Sequence, residues 1–256
     1  MGDYEQFVKQ IKNKLDIDLT CYKETQMKRR LTSFCLKKGF TSFNDLYQVM
    51  TSDDALEEEF LDRMTINVSS FFRNYKRWVV FESTILPKLL EKNRWLKIWS
   101  AACSTGEEPY TIAMILSKYV PLHSMSILAT DIDASALAKA KEGRYLEQSL
   151  KEVPASMKSE FFEIKGDHYE IDDSIKQAVT FQKHNLLADR FQSNFDLIVC
   201  RNVTIYFTDD AKDRLYKKFS DALRKDGILF VGSTEQIFDP NKYHFEKEET
   251  FFYRKM

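Results

Sequence analysis

The stretch Leu96-Lys97-Ile98-Trp99-Ser100-Ala101-Ala102-Cys103-Ser104-Thr105-Gly106-Glu107-Glu108-Pro109-Tyr110 constrains this chain more than any other. Leu96 to Ala101 is a short apolar run rich in strand formers, and Ala102 to Gly106 carry no bulky side chain. After Pro109, the residues Ile112, Ile115, Leu116 and Tyr119 recur at i, i+3, i+4 and i+7. The succession predicts a strand, a tight loop and a helix. Small residues let a ligand approach the backbone, and a helix N-terminus offers free N–H groups. Phosphate would suit such a site, but Glu107 and Glu108 on the first turn repel phosphate and attract a cation. Acidic residues also favour helix starts on their own account. A ligand loop for a positive group and a solvated helix start are both open from this stretch alone.

A chain of 256 residues holds one large or two modest domains. Its 38 Lys and Arg against 39 Asp and Glu give no sign of a nucleic-acid binder. Cys21, Cys35, Cys103 and Cys200 lie far apart with no Cys-x-x-Cys pair. Neither a disulfide framework nor a zinc site is expected, and a reducing compartment fits. No apolar run approaches the ~20 residues of a membrane span, and Met1 to Lys14 has no signal-peptide core. The expectation is a cytoplasmic protein without membrane insertion.

Residues 1 to about 75 show only helical periods: Phe7, Ile11, Leu15; Met27, Leu31, Phe34, Cys35; Phe43, Leu46, Tyr47, Met50; Leu56, Phe60, Met64. They predict an all-helical domain. The second stripe carries Lys23, Lys28, Arg29, Arg30, Lys37 and Lys38 on its outer positions. A basic face in a neutral protein suits an acidic partner, and an ordinary solvated face is the competing reading. At the junction, Thr65 to Arg73 gathers hydrogen-bonding groups, two aromatics and an arginine, either a ligand segment or a helix cap with core aromatics.

From Trp78 onward strands alternate with helices. Met125 to Thr130 ends in Asp131-Ile132-Asp133, Phe195 to Cys200 and Gly227 to Val231 are further strand candidates, and 209–223 is a helix between them. The alternation predicts an α/β fold, a doubly wound and mostly parallel Rossmann-like sheet over 76–256. A small β-rich insertion at about 145–178 turns at Gly166-Asp167, and the tail from Phe245 supplies closing strands. An acidic residue ending the second strand accepts ribose hydroxyls in nucleoside-binding units; Asp131 and Asp133 are the candidates, with helix capping the alternative. Ser104 to Glu108, Asp131, the segment His184-Asn185-Leu186 and the segment from Arg201 to Phe207 should meet at the carboxyl ends of parallel strands. They supply carboxylates for an amine and a ribose, and an Asn and apolar walls for an adenine. That inventory fits S-adenosylmethionine, which carries no phosphate.

Five pieces, Asn67 to Arg73, Ser100 to Tyr110, Ala129 to Asp133, Asn185 to Leu187 and Cys200 to Phe207, stand in an order that resembles the CheR-type chemotaxis receptor methyltransferases. The resemblance runs along nearly the whole chain. It implies an N-terminal helical domain, a methyltransferase domain with a β-subdomain, and cofactor contacts from Asn67, Ser69, Arg73, Glu107, Asp131, Asn185, Leu186, Asn202 and Val203. Two departures are Ser70 and Thr204, the latter at a position usually held by a bulkier apolar residue. The insertion around Gly166 is shorter than in members that grip a receptor's C-terminal peptide. Its Glu163, Glu170, Asp172 and Asp173 would also repel an acidic peptide, so no such tether is expected.

The implied reaction moves methyl from the sulfonium to a glutamate side chain on the cytoplasmic methylation helices of a receptor. The products are a methyl ester and S-adenosylhomocysteine. A glutamate is already anionic at neutral pH and needs no general base; no metal cluster is seen, and His123, His168, His184 and His244 are scattered. Catalysis then rests on in-line positioning and exclusion of water, with Arg73 and Tyr206 the candidates to orient the carboxylate. The basic stripe is the candidate receptor face, and the chain is expected to act as a monomer. A nucleic-acid methyltransferase is the enzyme alternative. Against it, the fourth strand ends in Arg201-Asn202-Val203, not in the Asn/Asp-Pro-Pro-aromatic of base N-methylating enzymes. A non-catalytic cofactor-binding scaffold is the other alternative.

Overall fold

The computed structural model describes residues 2–256. The four expected helical stripes form α1 (Asp3–Leu15), α2 (Glu24–Lys37), α3 (Phe43–Met50) and α4 (Asp54–Met64). Side chains set their starts: Ser42 accepts from Asp45 N and Asp53 from Leu56 N, each at 3.0 Å. The stripes face one another, and Phe7, Ile11, Leu31, Leu46 and Phe60 are fully buried in their core. The bundle stops at Met64, and 65–74 form an irregular connector. Phe71 of that connector packs edge-on against Tyr145 and Phe162, at 4.7 and 5.0 Å between ring centroids, so its aromatics belong to the core of the second layer.

A long helix follows, α5 (Tyr75–Val80) running through a π-helical turn into α6 (Leu86–Lys92). Pro87, just past the turn, has no N–H for the preceding turn. The α/β layer then reads β1 (Leu96–Ala101), α7 (Glu107–Leu116), β2 (Met125–Asp131) and α8 (Ala134–Glu142). The insertion contains β3 (Arg144–Tyr145), α9 (Ala155–Phe161), β4 (Phe162–Lys165), β5 (His168–Ile171) and α10 (Asp173–Gln177). The chain closes with β6 (Val179–Lys183), β7 (Phe195–Cys200), α11 (Asp209–Ala222), β8 (Leu223–Val231), β9 (Phe245–Glu249) and β10 (Phe252–Lys255).

The main sheet has seven strands in the order β6-β2-β1-β7-β8-β10-β9. Its first five are mutually parallel, and β10 runs antiparallel between β8 and β9. The strand order reverses at β1, whose neighbours are β2 and β7, and the crevice at their carboxyl ends is where such sheets bind ligands. The insertion is a separate antiparallel sheet, β3-β5-β4, and carries more helix than expected. β8 starts at Leu223, earlier than expected, because Asp226 takes a left-handed φ of 62° and the pairing with β7 slips there.

The loop after β1 depends on Gly106, at φ +93°, where a Cβ would lie 2.9 Å from Ala140 Cβ and 3.1 Å from Tyr145 Oη. Gly106→Ala should therefore lower the unfolding free energy by about 2–3 kcal/mol, from backbone strain and overpacking together. Urea denaturation of the two proteins checks this; an unchanged midpoint would show that the loop relaxes freely.

Candidate functional site

One pocket opens at the carboxyl ends of β1, β2, β6 and β7, and the connector 65–73 forms its other wall. Among its lining residues are Asn67, Ser69, Arg73, Asp131, Asn185, Leu186, Asn202, Val203 and Tyr206. With Ala102, Cys103 and Ser104 of the loop after β1, five separate sequence stretches converge there. The helical bundle adds Tyr22 and Met64, which sequence reasoning did not single out. Tyr22 reaches the site because its backbone bridges to Phe207 and the two rings pack edge-on at 5.1 Å.

The two aspartates after β2 divide their work. Asp131 lines the pocket: its Oδ2 accepts from Ser104 N at 2.8 Å and its Oδ1 from Asp133 N at 3.0 Å. Each oxygen keeps a lone pair for a hydroxyl donor. Burial pushes the Asp131 carboxyl above its usual range. Asp133 is the cap of α8, accepting from Ser135 N and Ala136 N through Oδ1. Its Oδ2 takes Asn67 Nδ2 at 2.7 Å and the Thr65 hydroxyl at 3.2 Å. Asn67 Oδ1 in turn accepts from Ser104 Oγ at 3.0 Å, so one amide ties the connector to the β1 loop and to α8. Ala102 and Ser104 hold left-handed backbones, φ 62° and 49°, which bring the loop's main chain to the pocket surface.

The paired glutamates also separate. Glu107 does not line the pocket; it is buried behind it, with the Thr105 hydroxyl donating to its Oε2 at 2.7 Å. Glu108 faces the pocket, with Oε1 accepting from Ser100 Oγ at 2.9 Å and Oε2 3.5 Å from Arg201 Nη1. Burial, only partly offset by Arg201, pushes its carboxyl up to about 6. Arg201 is itself buried over the rings of Trp78 and Phe230, and its Nη2 donates to the Arg73 carbonyl at 2.7 Å. Arg73 Nη1 donates to the Val68 carbonyl at 2.8 Å. Glu108 and Arg201 stood in stretches expected to meet at this crevice, and packing adds the direct contact between them.

After β6, Asn185 commits its amide to the chain: Oδ1 accepts from Leu187 N and Nδ2 donates to the Asp16 carbonyl. Leu186 and Leu187 supply apolar wall, and His184 packs edge-on against Trp99. After β7, Asn202 is left-handed at φ 61°. Thr204 turns away from the pocket to bond Glu235 at 2.9 Å, so this departure adds a hydrogen bond and leaves the pocket wall to Val203.

The basic stripe on α2 is not one face. Lys23, Lys28, Arg29, Lys37 and Lys38 are exposed, with Lys28 over the Tyr4 ring and Lys38 paired with Glu59. Arg30 points inward instead: it donates to the Met64 carbonyl and lies 5.2 Å over the Tyr206 ring. The acidic residues of the insertion are likewise not free charge. Glu170 is paired with Arg144 and Lys165, Glu163 with Lys165 and Asp173 with Lys176, while Asp172 caps α10. Among the described residues no group of three or more His, Cys, Asp or Glu side chains is arranged to hold a metal ion, and no helix is long and apolar enough to cross a membrane.

Sheet order and pocket define a nucleoside-binding α/β enzyme fold joined to a helical bundle. The model of the CheR methyltransferase SAM binding domain matches residues 67–252, and that of the CheR methyltransferase all-alpha domain residues 2–65. The chain belongs to the CheR methyltransferase family, and its cofactor is S-adenosylmethionine. It is 44% identical to the chemotaxis protein methyltransferase of Listeria innocua, over 99% of this chain and 97% of that one. It is 35% identical to that of Borreliella burgdorferi, over 92% and 88%. Among solved structures it is similar to a TehB-like SAM-dependent methyltransferase from Corynebacterium glutamicum, at TM-score 0.40 and 16% identity, over 71% of this chain and 94% of that one.

The donor set suits this cofactor: Asp131 keeps spare lone pairs, the loop after β1 has small residues, the walls are apolar, and Glu108 adds a second carboxylate to the lining. Protonating Glu108 removes negative charge from the pocket. Affinity for S-adenosylhomocysteine, whose amine stays cationic, should therefore fall about three- to fourfold between pH 7.5 and 5.5 as pH drops through the raised carboxyl value. Calorimetry at both pH values on the wild type and on Glu108→Gln checks this. The variant should bind more weakly at pH 7.5 and show a flatter profile; equal slopes would assign the titration elsewhere.

Proposed function

We propose that this methyltransferase esterifies glutamate side chains on the cytoplasmic methylation helices of chemotaxis receptors, releasing S-adenosylhomocysteine. The observation that carries the reading is the convergence on one pocket of every implied cofactor residue but Glu107, with Arg73 and Tyr206 lining the same pocket. The names of the curated relatives support the receptor as substrate.

The bound cofactor supplies an electrophilic methyl on a sulfonium. A glutamate oxygen attacks that carbon, the C–S bond breaks, and its electron pair stays on sulfur, so an anion and a cation become two neutral groups. Charge disperses along this path, which a water-poor pocket favours. The protein's part is to bind, orient and exclude water. Asp131, Asn202 and Val203 grip the nucleoside, and Glu107 supports the loop after β1 from behind the pocket. Arg73 and Tyr206 orient the acceptor. Arg73 shares its guanidinium with the Val68 carbonyl, which tempers its hold on the acceptor and leaves the oxygen nucleophilic. The test is alkali treatment of receptor labelled from methyl-labelled cofactor. Label should leave as methanol, and Asp131→Ala should cut kcat/KM about a hundredfold through the lost ribose partner. Alkali-stable label, label on nucleic acid, or cofactor binding without transfer would each refute the reading.

We further propose that the enzyme acts as a monomer in the cytoplasm, with the bundle of the helical domain expected over 1–75 finding the receptor, and 76–256 carrying the chemistry together with the connector 65–74. Lys23, Lys28, Arg29, Lys37 and Lys38 form the docking face, and Arg30 serves it from the seam. A receptor C-terminal tether is not needed. The ion pairing of the insertion removes the repulsion argument, and the short Gly166-Asp167 turn is what supports this. Lys28→Glu with Arg29→Glu should raise the KM for receptor about tenfold, leave cofactor affinity unchanged, and mimic added salt, which screens exposed charges beyond ~8–10 Å. Receptor lacking its C-terminal residues should be methylated at the full-length rate at low enzyme concentration; a tenfold drop would restore the tether.

A further inference from the structure

Glu235 lies outside every stretch read as chemical in the sequence. It follows β8 in the run Gly232-Ser233-Thr234-Glu235 and is 4% exposed. Its Oε2 accepts from Asn202 N at 2.6 Å and Gly232 N at 2.8 Å. Its Oε1 accepts from Val203 N at 2.8 Å, Thr204 N at 2.7 Å and Thr204 Oγ1 at 2.9 Å. Three of these donors are successive backbone N–H groups. Such an array is an anion-holding nest, here filled by the chain's own carboxylate.

The fit is close. A Cβ on Gly232 would stand 2.3 Å from Glu235 Oε2 and 2.8 Å from Asn202 N, so only glycine lets the carboxylate in. The far end of the same loop is held by the bundle: Lys23 N donates to the Tyr206 carbonyl and Thr208 N to the Cys21 carbonyl, each at 2.9 Å. Between these anchors lie Asn202, in its left-handed conformation, Val203 and Tyr206.

We propose that Glu235 is a positioning residue for methyl transfer. Its carboxylate holds the 202–204 backbone in the shape that presents Asn202 and Val203 to the cofactor and Tyr206 to the acceptor. This rests on the reading of Asn202 and Val203 as cofactor contacts. An ionised carboxylate accepts at both oxygens, whereas an amide turns donors toward donors at one end. Glutamine, nearly the same in shape, therefore cannot replace it.

The experiment uses the full chain and Glu235→Gln. Calorimetry should show affinity for S-adenosylhomocysteine weakened about tenfold or more. The KM for S-adenosylmethionine should rise by a similar factor, with kcat changed less than about threefold. In cofactor-free protein, amide exchange at 202, 203, 204 and 232 should accelerate selectively, while β1 and β7 stay as protected as in the wild type. Exchange that accelerates throughout, or affinity and exchange at 202–204 like the wild type, would overturn the proposal. If Glu235→Gln does not fold, Glu235→Asp, which keeps both oxygens at a shorter reach, should give the same pattern in smaller measure. Asn202→Ala separates the two levels: unchanged affinity there would refute the cofactor reading of the loop, and the exchange result would still decide whether Glu235 holds it.

Discussion

The Asp133 carboxylate is the contact on which the rest of the site depends. One oxygen caps α8, a helix of the sheet layer, and the other receives Asn67 and Thr65, which belong to the connector from the bundle. The side chain is almost fully buried, and its hydrogen bonds hold the carboxyl below its usual range despite that burial. A buried acceptor with its donors in place is costly to disrupt, because each freed donor loses water as well as its partner. The bundle is therefore fixed over the carboxyl ends of the strands at the level of the pocket. Asn185, reaching to the Asp16 carbonyl, makes a second stitch on the opposite wall.

Backbone strain gathers around the same place. Phe72, Asn74, Ala102, Ser104 and Asn202 all take positive φ without being glycine. Each such residue costs on the order of 1–3 kcal/mol and persists only where its surroundings over-determine it. Those surroundings can be named for several of them. Asp131 holds Ser104 N, Glu235 holds Asn202 N, and Glu152 takes the N–H groups of Asn74 and Tyr75. The pocket is shaped by main chain that side chains from distant segments keep out of its preferred conformation.

This explains what was legible in the sequence. The strand, small-residue loop and helix at 96–116 could be read because period and residue size act locally. So could the four bundle stripes and the buried strand Phe195–Cys200. β6 was not delimited, because its Val-Thr-Phe-Gln-Lys is polar and half-exposed beside β2. Helix phase put Arg30 on an outer position of α2, but phase cannot tell that the β7 loop covers that side. Charge counting made the insertion acidic, yet its partners Arg144, Lys165 and Lys176 lie across strands or one turn away. Glu235 sits in a polar run that reads as a solvated loop, and all its donors but Gly232 N stand more than thirty residues earlier.

Arg30 shows how the two layers can act together in the proposed reaction. It sits on the helix that carries the exposed basic residues, yet its guanidinium lies on the ring of Tyr206, and Lys23 N holds the Tyr206 carbonyl. A cation on a partly desolvated aromatic face contributes about 1–2 kcal/mol. That is enough to bias a side chain's position and too little to lock it. An acidic helix docking along α2 would bring its own carboxylates near Arg29 and Arg30, and would compete with Tyr206 for the latter. On the proposed reading, Arg30 links the helix that carries the exposed basic residues to the loop that carries Tyr206. The helical domain is thus part of the pocket as well as the bearer of the exposed basic residues, through Tyr22 and Met64 in its lining and Arg30 over Tyr206.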